Sequence, residues 1–381
     1  VCAAAAGSRA ACCRKDRRAV AKISSSGLGF GTAGRFQYTP PLAAAPALAA
    51  DTPADAELEA RITAMGKVSS AGSGQYSPDG KQIAYITNVS GSPQAWLMPA
   101  AGGTPTQLTK GSDPVSGLRW SPDGKLAYAV SPGGGYNAQL FLSTTDGTQV
   151  KRINEGESNT FPGDFTPDGR YHFRSNARSA DSTDTWMYDP ATGTAKIAIE
   201  MKGLGGIDDV LGNRAVVNRL VTRGNSNLWL EDLTTGRSML LTPHRGTAQS
   251  TGLFGKDANT IYLEHNIDRD RSALARIDIA ADGKTFARIE LAQRDDAELA
   301  NFILNDARTQ ALLTWNVAGR NELELIDLAT GERHELPAAP AELVAGADYS
   351  PDGKHVLLGL SGSAAPSEVW ELDLATEEYR R

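Results

Sequence analysis

The sequence predicts an all-β protein, a seven-bladed β-propeller of four-stranded antiparallel sheets preceded by one short helix. Two observations predict this class: a hexapeptide turn that recurs along the chain, and a second series of turns that recurs with the same spacing. A repeat of about 40–50 residues is the length of one propeller blade. One such sheet is too small to bury its own faces, so neighbouring blades bury them together in a ring.

The hexapeptide is a Ser/Thr-Pro-Asp-Gly turn between an aromatic residue and a basic one. Proline fixes φ near −65° and glycine accepts a positive φ, so the pattern predicts a type I turn that ends in a glycine bulge. The aromatic residue before the turn and the alternating apolar run after it predict two antiparallel strands. The four copies are Tyr76–Lys81, Trp120–Lys125, Phe165–Arg170 and Tyr349–Lys354.

A second series of small polar turns predicts that the number of units is seven. Successive turns lie 43 to 48 residues apart, and most end in glycine. They fill the part of the chain in which the hexapeptide is absent, where degenerate first turns are predicted near residues 211–213, 255–257 and 305–307. The second turns end at Gly103, Gly147, Gly193, Gly236, Gly283, Gly331 and Glu377. In five units an aspartate precedes the turn in register, at Asp189, Asp232, Asp278, Asp327 and Asp373.

Three segments are predicted along the chain. Residues 1–50 are expected to be a disordered tail or a damaged signal peptide, because Pro41–Ala50 resembles the end of a secretory signal but follows no proper apolar core. Residues 51–70 are predicted to form a capped helix and a linker, with Thr52 as the N-cap and Pro53 at the first helical position. Residues 71–381 are predicted to form the propeller. Because seven units leave no spare strand, blades 1 and 7 are expected to meet through side-chain packing alone.

Composition excludes several classes of function. The net charge is −7 with a pI of about 5.4, which disfavours a nucleic-acid partner. No stretch reaches the roughly 18 apolar residues of a membrane span. The three cysteines, Cys2, Cys12 and Cys13, have no partners further along the chain, so neither disulfides nor a zinc site are predicted.

The sequence contains no recognisable catalytic motif. No Gly-x-Ser-x-Gly turn occurs, and Gly359–Ser363 fails at its last position. Phosphate-binding and dinucleotide-binding loops and His-Glu-x-x-His are also missing from the sequence. No catalytic residue, cofactor or metal is therefore predicted. The histidines have no ligand spacing and are interpreted as structural; they are His172, His244, His265, His334 and His355.

An arginine recurs in the connection between the second and third strands of four units. Because equivalent loops of a propeller emerge on one face, we expect an arc of guanidinium groups there. Guanidinium binds carboxylates through paired hydrogen bonds, so the arc is predicted to grip a peptide carboxylate or to dock a partner domain. The alternative is that these are solvated turn residues with local ion pairs. The residues are Asn176 with Arg178, Asn266 with Arg269, Asn316 with Arg320, and Arg223.

Taken with the repeated hexapeptide, Leu241–Arg245, Trp315–Arg320 and Val369–Leu374 carry a family resemblance. The chain resembles the N-terminal propeller of bacterial prolyl-oligopeptidase-family serine peptidases, in the acylaminoacyl-peptidase-like branch. The Ser-Pro-Asp-Gly repeats also resemble TolB-type periplasmic propellers, which have six blades. A scaffold of the WD-repeat kind is disfavoured because the Gly-His and Trp-Asp signature is missing.

The resemblance implies a function for a chain without catalytic residues. In that family an α/β-hydrolase domain with Ser, Asp and His follows the propeller, which restricts access to short peptides. No position here matches that triad, so we expect the propeller portion of such a peptidase, through truncation, a broken reading frame or a fragment boundary. Its propeller would filter and orient peptides and dock the absent hydrolase domain. The alternative is a free-standing TolB-like periplasmic propeller that binds proteins or peptides. A working signal peptide would make the protein periplasmic or secreted; otherwise it is expected in the cytoplasm.

Overall fold

The computed structural model describes residues 56–381, which form one α-helix and seven four-stranded sheets. Helix α1 spans Ala56–Gly66 and ends at the predicted glycine. Its apolar face, Leu58, Ile62 and Met65, is more than half exposed, so the helix does not bury the face that its spacing defines. The predicted tail and helix cap at residues 1–55 lie outside the described residues. The sheets lie wholly within one compact unit, Ile62–Arg381.

Each blade consists of four consecutive strands. Blades 1 and 2 are β1 (Ala71–Tyr76), β2 (Gln82–Thr87), β3 (Gln94–Pro99), β4 (Thr106–Gln107), β5 (Val115–Trp120), β6 (Leu126–Val130), β7 (Gln139–Ser143) and β8 (Val150–Arg152). Blades 3 and 4 are β9 (Thr160–Phe161), β10 (Tyr171–Ser175), β11 (Asp184–Asp189), β12 (Thr194–Ile199), β13 (Gly205–Leu211), β14 (Arg214–Thr222), β15 (Asn225–Asp232) and β16 (Ser238–Leu240). Blades 5 to 7 are β17 (Ser250–Phe254), β18 (Thr260–His265), β19 (Ala273–Ile279), β20 (Phe286–Ala292), β21 (Glu298–Leu304), β22 (Gln310–Val317), β23 (Arg320–Asp327), β24 (Arg333–Glu335), β25 (Leu343–Tyr349), β26 (His355–Gly362), β27 (Ala365–Asp373) and β28 (Tyr379–Arg380).

The seven-bladed propeller predicted from the turns is confirmed. Every strand pairs antiparallel with its neighbour in the chain, in the same order in each sheet. The first strands of several neighbouring blades contact one another, so the first strands lie nearest the axis. We call the side with the turns after first and third strands the hairpin face. The opposite side, with the connections after second and fourth strands, is the loop face.

The hexapeptide turns form through their own side chains. Gly80 has φ of 68°, its N–H donates to Ser77 O at 2.8 Å, and Ser77 Oγ accepts from the Gln82 N–H at 2.9 Å. The second turns use the aspartate that precedes them: Asp232 Oδ1 accepts from the N–H groups of Thr234 and Thr235, both at 2.9 Å. Such Asx turns are the local chemistry that the sequence pattern predicted.

Apolar side chains fill the interfaces between blades. Seven clusters of buried residues occur, one for each pair of neighbouring blades. Among residues 56–381 the cluster between blades 7 and 1 is the smallest, and its buried members are Tyr76, Ile83 and Leu357. Hydrogen bonds supplement it, contrary to the expectation of packing alone. Tyr76 Oη donates to Glu371 Oε2 at 2.6 Å, and Ser367 Oγ donates to Ala71 O at 3.0 Å.

Carboxylates cap the inner edge of the ring. The first strand of each blade has one edge without a neighbouring strand, and unpaired N–H groups there need acceptors. Aspartates of one blade supply them to the next blade. The contacts are Asp208 Oδ2 with Gly252 N–H at 3.1 Å, Asp209 Oδ2 with Phe254 N–H at 2.8 Å, and Asp348 Oδ2 with Tyr76 N–H at 2.8 Å.

Candidate functional site: the loop face and the axial cavity

The structure separates the four predicted arginines: Arg178, Arg223 and Arg269 lie in second-to-third-strand connections, and Arg320 is the first residue of the third strand β23. Arg178 grips Asp184 with two hydrogen bonds, from Nε at 2.7 Å and Nη2 at 2.8 Å. The Asp184 side chain is fully buried and also accepts from the Met201 N–H at 2.8 Å. Burial raises the pKa of Asp184, but these hydrogen bonds outweigh it and keep the pKa below its ordinary value. Arg178 is therefore engaged within its own blade.

Arg269 is likewise engaged, whereas Arg223 and Arg320 are available. Arg269 donates to Gln293 and lies 3.4 Å from Glu290 Oε2. Arg320 is 74% exposed and reaches a carboxylate only at 3.8 Å. The exposed Arg223 guanidinium has no hydrogen bond or ion pair among residues 56–381. The arc stays a prediction, now concentrated on these two side chains.

Two of the three asparagines that accompany the arginines share a structural role. Asn176 and Asn266 each follow a second strand directly and accept, through Oδ1, the backbone N–H of the residue before the first strand, Asn159 at 2.9 Å and Gln249 at 2.7 Å. In blade 1, where none of the predicted arginines lies, Asn88 makes the same contact with Ser70 at 2.7 Å. Asn316 differs, because its Oδ1 accepts from the Gly319 N–H at 3.0 Å. The fold therefore explains Asn176 and Asn266 without reference to the arginines, a role that the sequence pattern did not indicate.

Exposed apolar side chains lie mainly on the loop face. Tyr136, at the tip of the glycine-rich connection after β6, is 94% exposed. Val150 and Ile289, the two exceptions within the blades, lie on fourth strands. The exposed large hydrophobics at the loop-face ends of the described blades are Val89, Tyr136, Phe161, Leu204, Val221 and Leu343. These six side chains are distributed over five blades, one or two to a blade.

A cavity of about 340 Å³ lies on the axis, lined mainly by the first strands of blades 2 to 6. Arg119 crosses to blade 3, where its Nε donates to Asp164 Oδ2 at 3.1 Å. Asp208 accepts only the Gly252 N–H noted above, and burial raises the pKa of Asp208 to about 7. His172 also lines the cavity and is only 5% exposed. Burial lowers the pKa of His172, which keeps its imidazole neutral at pH 7.

The sequence-based interpretation of His172 as a structural histidine missed its place in this cavity. The unusual residue type at position 172 becomes visible only when the second strands of the seven blades are aligned by their pairing with the first strands. His172 is the second residue of β10, and the equivalent position carries an apolar or aromatic residue in the six other blades. These residues are Ala84, Ala127, Val216, Tyr262, Leu312 and Leu357.

An arginine from the hairpin face reaches across several blades near the axis. Arg308, in the turn after β21, donates from Nη1 to Asp209 Oδ2 at 2.7 Å and also to the carbonyl oxygen of Phe254. The contact links blade 6 to blades 4 and 5. Its partners are far apart in the chain, so no local pattern could have indicated it.

Comparison with known proteins supports the fold. No family model matches the chain. A stretch of 101 residues is 28% identical to an uncharacterized peptidase of Bacillus subtilis, YuxL, covering 25% of this chain and 15% of that protein. A solved prolyl endopeptidase matches with a TM-score of 0.67 at 14% identity, covering 86% of this chain and 51% of that one. Prolyl oligopeptidase B from Galerina marginata matches with a TM-score of 0.65 at 14% identity, covering 85% and 51%.

TolB from Acinetobacter baumannii shares the fold at a TM-score of 0.50 and 16% identity, covering 78% of this chain and 75% of that one. The described chain is thus a seven-bladed propeller that resembles the propeller of prolyl oligopeptidases and, less closely, that of TolB. It spans about half the length of the prolyl oligopeptidases that it matches. No helix among the described residues is long and apolar enough to cross a membrane.

Proposed function

We propose that this chain is the non-catalytic propeller domain of a prolyl-oligopeptidase-type serine peptidase. In this proposal it filters and orients short peptides and docks an α/β-hydrolase domain. The observation that carries the proposal is a difference between the two faces in the exposed side chains that are free to bind a partner. Tyr136, Val221, Arg223 and Arg320 are exposed on the loop face. Tyrosine and arginine are the side chains that contribute most at protein interfaces, particularly beside apolar neighbours.

The axial cavity supports the peptide-filtering part of the proposal. Its volume of about 340 Å³ is at the small end of ligand pockets, large enough for part of a short peptide and too small for a folded domain. Peptide hydrolysis would come from the docked domain, because this sequence has no Gly-x-Ser-x-Gly turn. Because Pro41–Ala50 resembles the end of a signal peptide, we propose a periplasmic or secreted location if a working signal peptide exists, and a cytoplasmic location otherwise.

The peptide part is tested by fluorescence anisotropy with a labelled proline-containing octapeptide that has a free C-terminal carboxylate. We expect the double variant Arg223→Ala/Arg320→Ala to weaken binding about tenfold, the usual effect of losing a charged contact. Lys81→Ala/Lys125→Ala removes the same charge from the hairpin face and serves as the matched control. Equal weakening by both double variants, or no binding by the unaltered chain, would contradict the proposal.

The docking part needs a separate measurement. A purified α/β-hydrolase domain of a prolyl-oligopeptidase-family peptidase from the same organism is added, and hydrogen exchange is followed by mass spectrometry. We expect slower exchange in the connections that carry Tyr136 and Val221, with the Ser-Pro-Asp-Gly turns unchanged. Protection confined to the hairpin face would contradict the proposed docking surface.

The alternative function is that of a free-standing TolB-like binding propeller. It is favoured by the share of the TolB chain that the match covers, which is 75%. The blade count opposes it, because seven sheets are found here and the TolB type has six. Under this alternative the chain would bind peptides or proteins on its loop face without ever docking a hydrolase domain. The hydrogen-exchange experiment therefore discriminates between the two functions.

A further inference from the structure

The axial cavity contains a histidine that the fold does not use. Buried polar groups almost always find hydrogen-bond partners. Neither ring nitrogen of His172 makes a hydrogen bond within residues 56–381, and both keep accessible surface although 95% of the residue is inaccessible, so they are open to the cavity that the residue lines. Gly163 is required mainly by the backbone, because a Cβ there would lie 2.0 Å from the His172 carbonyl oxygen; it would also lie 3.0 Å from Nδ1. The cavity therefore contains an imidazole with spare hydrogen-bonding capacity.

The same cavity contains a carboxylate without a cationic partner. Asp208 accepts a single hydrogen bond, from the Gly252 N–H, and no arginine lies within ion-pair distance of it among the described residues. Arg119 is already engaged by Asp164 Oδ2 at 3.1 Å and by the Leu118 carbonyl at 2.7 Å. Asp208 is half-buried, and a partly desolvated carboxylate with one donor gains from a second partner that brings positive charge.

Arg174 is the cation whose charge acts on Asp208, but its guanidinium packs against another side chain. Its guanidinium lies 5.2 Å from the ring centroid of Phe161, a cation–π contact. Its side chain runs beside the backbone of Gly206, where a Cβ would lie 2.2 Å from Arg174 Cδ. The charge of Arg174 lowers the pKa of Asp208, but burial outweighs this effect. Arg174 therefore weakly offsets the Asp208 charge without pairing with it.

We propose that the axial cavity binds a compact organic cation, a primary ammonium group, with Asp208 as its counter-ion and the neutral imidazole of His172 as an acceptor. Thr251 and Asn301 also line the cavity and supply neutral oxygens. An anion is disfavoured because Asp164 and Asp208 would repel it and Arg119 is already paired. The described residues offer no group of three or more His, Cys, Asp or Glu side chains suited to a metal ion. The inference does not depend on the proposed peptidase function.

The affinity for an amine should depend on pH through Asp208. The groups that act on it are Arg174 from β10, which lowers its pKa, and Asp209 from its own strand, which raises it. The proton on Asp208 must leave before an ammonium ion can pair with it. Binding is therefore expected to tighten as pH rises from 6 to 8, by up to tenfold per pH unit below the pKa.

The test is isothermal titration calorimetry at pH 8 with 1,5-diaminopentane, with 1,5-pentanediol and glutarate as neutral and anionic controls of equal chain length. We expect the diamine alone to bind, and the NMR signal of His172 to shift when it does. Two blocked peptides distinguish the sources of the amine: acetyl-Gly-Lys-Gly-amide offers a side chain and Gly-Gly-Gly-amide offers an N-terminus. If no amine binds at 10 mM, or if glutarate binds as well, the inference is wrong.

Three variants locate the site. Asp208→Asn keeps an acceptor for the Gly252 N–H and is expected to lose at least tenfold in affinity while melting no lower than the unaltered chain at pH 8. Arg174→Gln removes a repelling charge and is expected to tighten binding a few-fold. Asp306→Asn, which changes a carboxyl outside the cavity lining, is the matched control and should bind as the unaltered chain does. Unchanged affinity in Asp208→Asn overturns the assignment.

Discussion

The two faces of the ring differ in how completely their polar groups are used. On the hairpin face, Asp79 Oδ1 accepts from Ser77 Oγ at 2.7 Å and from the Lys81 N–H at 3.1 Å, so the turn satisfies itself. On the loop face, Tyr136 is almost wholly exposed, and Arg223 has no side-chain partner in the described part of the chain. The repeated turns therefore maintain the fold. The irregular connections carry the side chains that are free to bind, as is usual for loops on a rigid scaffold.

The largest expected effect is a difference in melting temperature between substitutions of two loop-face arginines, Arg178 and Arg223. Arg178→Ala leaves the fully buried Asp184 carboxylate without its cation, and breaking such a pair is strongly destabilising. We expect the melting temperature to fall by about 5 °C. Arg223→Ala, the matched control, should change it by less than about 1 °C, because surface substitutions are nearly neutral. Thermal unfolding followed by circular dichroism measures both variants.

Equal melting temperatures for the two variants would mean that Arg178 is as free as Arg223. In that case the division of the predicted arc into engaged and available arginines would be wrong. The original four-membered arc would then regain its place as the binding hypothesis.

The next largest effect on melting temperature tests whether a link between blades stabilises the hairpin face near the axis. Arg308→Met keeps the length of the side chain but removes its hydrogen bonds to Asp209 and to the Phe254 carbonyl. Hydrogen bonds to charged groups contribute about 1.5–3 kcal/mol, so we expect the melting temperature to fall by about 4 °C. Lys354→Ala, which removes an exposed hairpin-face cation 3.6 Å from Asp352, should have almost no effect. A loss as large in Lys354→Ala would show that general charge, not the cross-blade link, stabilises this face.

The pH dependence of stability tests the inner edge of the ring, where Asp348 accepts a hydrogen bond from the next blade. Burial raises the pKa of Asp348 to about 7, and repulsion from Asp306 and Asp164 adds to the shift. The folded state keeps this proton up to about pH 7, while the unfolded chain releases it near pH 4. Over that interval the native state binds more protons, so stability falls as pH rises. We expect the melting temperature to decline from pH 5 to pH 8.

Asp348→Asn checks the assignment, because the amide oxygen can still accept from the Tyr76 N–H while its charge never changes. Its melting temperature should decline less steeply with pH than that of the unaltered chain. An identical slope would assign the pH dependence to the other carboxyls whose pKa is raised to about 7 by burial, Asp208 and Glu264.

The fold could be predicted because its signals are local. Every residue that closes a Ser-Pro-Asp-Gly turn lies within the turn, so the sequence alone contains the cause. A departure from the repeat can also have a neighbouring explanation. Four third strands carry a tryptophan at one position, Trp96, Trp186, Trp229 and Trp370, where blade 6 has Glu324. The buried Trp315 of the adjacent strand β22 donates from Nε1 to Glu324 Oε2 at 2.8 Å.

The sites were harder to predict because their causes are distant. The loop-face position of the arginines followed from topology, but the pairing of Arg178 with Asp184 depends on how the loop folds back. Arg308 meets Asp209 only because the ring curves. The cavity that joins His172 and Asp208 exists only after five blades assemble around the axis. Charge and burial at that axis are properties of the closed ring.

The smallest expected effect is a gain in stability on the hairpin face. In six of the seven second turns the residue with positive φ is glycine, but Glu377 takes that place in blade 7 with φ of 60°. A side chain in this conformation costs about 1 kcal/mol relative to glycine. Glu377→Gly should therefore raise the melting temperature by about 1–2 °C. The substitution also removes the contact of Glu377 with His334 Nε2 at 2.5 Å, but an exposed pair of this kind contributes little.

Glu377→Ala separates backbone strain from the lost contact. It keeps the strained backbone and removes the side-chain interaction, so its melting temperature should not rise. If alanine stabilises the protein as much as glycine does, the carboxylate and not the backbone is the unfavourable feature. A rise in melting temperature with glycine alone would show that the hairpin face contains one unfavourable turn, although its turns satisfy their own hydrogen bonds. That turn lies in blade 7 on the side of blade 6, where Glu377 contacts His334 of β24.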